Sequence, residues 1–76
     1  MNVEYIQRRL RGGFRPFTLH LWDGRKYDVP HPEFILVAQH SVAVAGRDGY
    51  IDSLDPAHIV SLKDWPAKSS NAKSGR

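Results

Sequence analysis

Apolar and polar positions alternate along two short runs, Phe17-Thr18-Leu19-His20-Leu21 and Arg25-Lys26-Tyr27-Asp28-Val29, on either side of Trp22-Asp23-Gly24. Alternation of period two marks a strand with one buried face, and an Asp-Gly pair between two such runs predicts a hairpin. The side chains choose its register. A two-residue Asp23-Gly24 loop puts Leu19 and Leu21 on one face with Lys26 and Asp28. A three-residue loop, with Gly24 left-handed as a bulge, puts Leu21 opposite Arg25, Leu19 opposite Tyr27 and Phe17 opposite Val29. The second arrangement makes one face apolar. Because a slip of one residue moves every side chain to the other face, it is the register expected, with a positive φ at Gly24. Thr18, His20, Lys26 and Asp28 then share the opposite face, with Trp22 at the turn.

The same reading extends along the chain. Asn2 is placed to cap a helix of about two turns in which Val3, Ile6 and Leu10 recur on one side and Gly12-Gly13 ends the segment. Arg15-Pro16 leads into the first strand of the hairpin, and Pro30-His31-Pro32-Glu33 is a rigid extended connector after the second. Phe34 to Ala38 and Ser41 to Ala45 form a further hairpin about Gln39-His40, with Ile35, Val37, Val42 and Val44 on one face. Gly46-Arg47-Asp48-Gly49 is the next turn, after which Ile51 is expected beside Val44. Asp55-Pro56-Ala57-His58 predicts a turn, and Ile59 to Leu62 a last strand. Tyr50 and Trp65 are expected to cover the ends of the core.

These elements amount to a mainly β domain over residues 1–66: a short N-terminal helix, then five or six antiparallel strands in a small barrel or strongly bent sheet. Residues 67–76 offer no large apolar side chain and read as a disordered basic tail. At 76 residues there is room for one small core.

Charge sharpens this picture. The net charge is +3 with a sequence pI near 9.6, which invites a nucleic-acid partner. Yet residues 1–65 contain eight basic groups and eight acidic ones, so the excess lies in Lys68, Lys73 and Arg76 of the tail. Within the body, residues 1–25 hold five Arg against two acids, and residues 48–64 hold four Asp against one Lys. Arg8, Arg9 and Arg11 fall at the end of the predicted helix, where the exposed carbonyls favour cations; as a basic patch the same three arginines suit phosphate oxygens. With no cysteine, no signal-like apolar run at the N-terminus and no run long enough to span a bilayer, a cytoplasmic protein without a membrane partner is expected.

Two resemblances bear on the reading. The block from Phe14 through Arg25, continuing with Tyr27, Val29 and His31-Pro32-Glu33-Phe34, resembles short bacterial hypothetical proteins that share a phrase of the type FRPFTLHLxDGRxYxVxHPEF. No activity is implied by it. The layout of helix, Asp-Gly hairpin, Asp48-Gly49 turn and a last strand after His58 is similar to the Sm-like RNA-binding proteins, in whose bacterial chaperone a His before the final strand contacts RNA. Here Asp55-Pro56-Ala57 stands where that chaperone has a Tyr-Lys pair. Gly49-Tyr50-Ile51 also resembles the SH3 barrel, without the acidic and aromatic motifs of its peptide groove.

The chemistry-bearing residues point away from catalysis. His20, His31, His40 and His58 lack metal-ligand spacing, so no metal is expected. No activated nucleophile motif occurs, the carboxylates are scattered, and neither a catalytic residue nor a small-molecule cofactor is expected. The surface that invites a partner is His20, Trp22, Arg25 and Lys26, an aromatic side chain among basic ones. The reading that follows is a non-catalytic interaction or accessory module, self-associating or bound to another protein through the two-sided apolar segment around Phe34, Leu36 and Ala43. An Sm-like RNA binder is the alternative, and an enzyme of unrecognised type a distant third.

Overall fold

The computed structural model describes residues 1–66, so the expected tail at 67–76 lies outside the described residues. Helix α1 spans Val3–Leu10, and the strands are β1 (Phe17–Leu21), β2 (Lys26–Val29), β3 (Ile35–Val37), β4 (Val42–Ala45), β5 (Ile51–Leu54) and β6 (Ile59–Asp64). Single 3-10 turns at Pro32–Phe34 and Pro56–His58 precede β3 and β6. The domain is thus mainly β, with one short helix and six antiparallel strands.

The first hairpin takes the register its side chains predict. Phe17 pairs with Val29 and Leu19 with Tyr27, while the Gly24 amide donates to the Leu21 carbonyl at 3.0 Å and Leu21 to Arg25 at 2.9 Å. Gly24 has φ 93°. Asp23 fixes the turn from within, its carboxylate accepting the Arg25 amide at 3.1 Å. Strand β6 pairs on the other side of β1, with a bulge between His20 and Leu21 that sets Leu21 against Ile59 and leaves Val60 outside the core.

The strands form two three-stranded sheets, ordered β2-β1-β6 and β3-β4-β5, and do not close into a single barrel among the described residues. The break falls where the sequence has Pro30 and Pro32. Neither donates a ladder hydrogen bond, and the 3-10 turn from Pro32 redirects the chain, so β2 and β3 belong to different sheets. The two sheets are held by one core: Phe17, Leu19, Leu21, Val29 and Ile59 from the first, Ile35, Val42, Val44 and Leu54 from the second, with Ile6 of α1. Their other faces therefore point away from each other.

The turn from β4 to β5 departs from expectation. Ile51 pairs with Ala45 rather than Val44, Asp52 stands opposite Val44, and Leu54 pairs with Val42. The loop is Arg47-Asp48-Gly49, a second copy of the first hairpin's turn: Gly49 donates to Gly46 at 3.1 Å and Gly46 to Tyr50 at 2.8 Å. Gly49 has φ 86°, and the Asp48 carboxylate accepts the Tyr50 amide at 3.0 Å. Removing Gly46 from the loop shifts the register by one, which buries Leu54 and turns Ile51 outward. Tyr50 is likewise exposed rather than covering the core.

Helix α1 is capped by Asn2, whose side chain accepts the Glu4 amide at 2.8 Å, and it buries Ile6. Arg9 turns inward from its last turn. Its guanidinium pairs with Asp64 of β6 and lies 5.8 Å from the centroid of the Phe17 ring.

Candidate functional site

The outward face of the first sheet is polar because alternation on three strands sends every second side chain away from the core. Cross-strand pairing sets Lys26, His20 and Ser61 in one row and Asp28, Thr18 and Lys63 in the next. Two groups from elsewhere in the chain complete this face. Arg47, carried by the β4–β5 turn, places its guanidinium 2.7 Å from the Asp28 carboxylate. Trp65, just after β6, donates its indole N–H to the Thr18 hydroxyl at 2.9 Å and its backbone N–H to the Pro16 carbonyl at 3.1 Å.

These contacts form a directed chain. Thr18 accepts from Trp65 and donates its own hydroxyl hydrogen to Asp28 at 2.8 Å, so both capacities of the hydroxyl are used. Asp28 holds its carboxyl below the ordinary carboxylate range, chiefly through the Thr18 hydroxyl and next through the Arg47 guanidinium, against the opposing effect of partial burial. The indole is consequently held by its edge and its backbone while 41% of the residue remains exposed.

Two clefts open beside this chain and share Lys26, Asp28 and Arg47. One, of about 450 Å³, is walled by Phe34, Pro30, Tyr27 and Trp65; the other, of about 440 Å³, is floored by Thr18 and His20. At the rim of the first, the Tyr27 phenol donates to Asp52 at 2.8 Å, which raises the phenol above its usual range.

The residues singled out in the sequence separate. His20 and Lys26 stand side by side on this face. Trp22 and Arg25 belong to the hairpin turn beyond it. Trp22 is 67% exposed, sets its ring edge-on to His58 at 6.1 Å and donates its amide to the His58 carbonyl. Arg25 is engaged by Asp23 at 2.8 Å, which lowers the Asp23 carboxyl through the Arg25 backbone amide and side chain together. Of the three helix arginines, Arg8 and Arg11 are exposed, whereas Arg9 is taken up by Asp64 and Phe17. The histidines are dispersed: His31 stacks obliquely on Phe34 at 5.7 Å, and His40 is exposed in the β3–β4 turn.

Arg47, Lys63 and Trp65 did not stand out in the sequence as site residues. Lys63 was legible, since extending the last strand's alternation past Leu62 places Ser61 and Lys63 on the polar face. Arg47 and Trp65 reach that face through tertiary packing, and Trp65 leaves the core's end that sequence reasoning gave it.

The outward face of the second sheet is different in kind. Leu36 and Ile51 are each 71% exposed, and between them lie Ala43 and Ala45, with Ser53 as the remaining outward residue. Among the described residues, none of these outward strand positions carries a charge. Among the described residues, no further strand pairs with the free edges of β3 and β5, and no helix is long and apolar enough to cross a membrane.

Compared with known protein families, curated proteins and solved structures, the chain gives no match.

Proposed function

We propose that this chain is a non-catalytic interaction module of the cytoplasm that pairs with a second copy of itself through the outward face of the second sheet. The observation that carries this reading is the pair Leu36 and Ile51, each 71% exposed on one uncharged face. Exposed apolar side chains gathered on one uncharged sheet face fit a protein–protein contact surface. A second copy suits it because the described body has eight basic and eight acidic residues, so the body's own charge does not oppose approach, the chain's +3 belonging to Lys68, Lys73 and Arg76.

Magnitude sets the expected strength. Burying an exposed Leu or Ile contributes about 1.5–3 kcal/mol, so four such side chains at 71% exposure give about 4–8 kcal/mol per dimer. Association costs about 4–15 kcal/mol in lost freedom. The dimer is therefore weak, and sedimentation velocity at submillimolar concentration is the assay. Leu36→Lys with Ile51→Lys abolishes the concentration dependence and leaves the circular dichroism spectrum unchanged. A wild-type chain that stays monomeric at the highest concentration removes the proposal.

The fold is read in its finer detail as an opened small barrel of the SH3 or Sm-like kind. Support comes from β2 and β3, which follow one another through the Pro30–Pro32 bend, and from the 3-10 turn before β6.

A further inference from the structure

We propose that the outward face of the first sheet, from Lys63 across Thr18 and His20 to Lys26 and Arg47, binds single-stranded nucleic acid, with the Trp65 indole as the platform for one base. This surface lies on the opposite side of the core from the self-association face, so neither reading depends on the other.

Charge is the first support. On the sheet face itself Lys26, Lys63 and Arg47 stand against Asp28, three cations to one anion, while the rest of residues 1–66 carries five basic groups and seven acidic ones. A local surplus on a neutral body attracts phosphate to one place rather than everywhere. Arg47 spends part of its guanidinium on Asp28, yet its side chain is 91% exposed and keeps donors free toward solvent.

The held indole is the second. Trp65 is tied by its Nε1 to Thr18 and by its amide to Pro16, so its ring is already positioned beside the cations when a base arrives. Pre-positioning removes the ordering cost that a free side chain would bear on binding. The ring borders the larger cleft, whose apolar wall of Phe34 and Pro30 suits a base; Asp48 and Asp52 line that cleft as well, so the phosphates run along the neighbouring strip of Thr18, His20, Lys26 and Arg47. Base stacking on an aromatic ring beside a basic track is the general means of holding single strands without sequence preference.

The geometry favours a single strand over a duplex. Three strands spaced about 4.8 Å apart give a face that accommodates a few nucleotides, and a platform for an unstacked base has no use for bases already paired. Among the described residues the face offers no protruding helix or ribbon to enter a groove.

The test uses the full chain and a fluorescein-labelled mixed-sequence RNA of about ten nucleotides, within the length one small β domain covers, with the same sequence as DNA and as a duplex. Fluorescence anisotropy at low salt gives saturable binding to both single strands and weaker binding to the duplex. With three phosphate contacts, the slope of log affinity against log salt is about −2. Trp65→Ala weakens binding by roughly thirtyfold, the middle of the range for loss of one stacked base, while Trp65→Phe, which keeps a ring but not the Thr18 bond, retains part of it. Lys26→Gln with Lys63→Gln reduces the slope by more than one unit. Thermal midpoints of each variant show that the fold persists. Absence of binding at low salt, equal affinity for duplex, or no effect of Trp65→Ala overturns the proposal. So does a slope unchanged by the two lysine substitutions, which assigns the binding to cations elsewhere, Arg8 and Arg11 or the tail.

Discussion

Replacing Leu54 and Ile51 in turn by alanine tests the register of the second sheet. Leu54 is 4% exposed and packs in the core, whereas Ile51, three residues earlier, is 71% exposed. Truncating a buried Leu costs about 2–5 kcal/mol, the lost transfer energy plus the cavity left behind. Truncating an exposed strand Ile costs at most about 1 kcal/mol, mainly strand preference. A domain of this size has a total stability of roughly 3–10 kcal/mol at about 0.05–0.15 kcal/mol per residue. Leu54→Ala therefore removes a large share of it and lowers the thermal midpoint by at least ~8 °C, at about 4–8 °C per kcal/mol for a domain this small. Urea unfolding at low protein concentration, where self-association does not contribute, measures both variants with a common slope. An Ile51→Ala chain as destabilised as Leu54→Ala would refute the loop of Arg47-Asp48-Gly49 and restore the pairing of Ile51 with Val44.

Further outcomes follow from the turns and the polar networks. Gly24→Ala and Gly49→Ala each lose about 1–2 kcal/mol in urea unfolding, because both positions have positive φ and an added Cβ meets nothing within 4 Å, leaving backbone strain as the cost; Asn at either site recovers part of the loss. Asp28 has a folded-state pKa below its unfolded value, so its contribution is present above about pH 4 and is lost as pH falls through the depressed value; Asp28→Asn flattens that part of the acid unfolding profile. Tyr27 has a raised folded-state pKa, so its contribution is complete below about pH 10 and declines as pH rises through the raised value. Tyr27→Phe removes that alkaline decline, as read by midpoints between about pH 9 and 11.

The two Asp-Gly turns show how far local reasoning carried. Trp22-Asp23-Gly24 and Arg47-Asp48-Gly49 are the same device, each with a left-handed Gly and an Asp that accepts the amide two residues on. In the first, one register alone makes an apolar face, and the hairpin adopts it. For the second, the apolar criterion pointed the other way: bringing Ile51 to Val44 buries an isoleucine, while the true register brings Asp52 to Val44. That aspartate stays exposed on the edge strand and meets the Tyr27 phenol, from the other sheet, at 2.8 Å. No pattern within residues 46–54 records that partner.

The candidate site divides along the same line. Alternation along the chain determined that Thr18, His20, Lys26 and Asp28 share a polar face, that Phe17, Leu19 and Val29 are core, and that Asn2 and Gly24 begin and turn their elements. These are decisions of sterics and period within a few residues, and the sequence contains all the atoms that make them. Tertiary structure alone decided that Arg9 pairs with Asp64, that Arg47 meets Asp28, that Trp65 lies against Thr18, and that the strands divide into two sheets. Each joins residues at least nineteen positions apart or depends on how the sheets stack. The partner of a long polar side chain is set by what folding brings within about 3 Å of it, and period and propensity hold no information at that range.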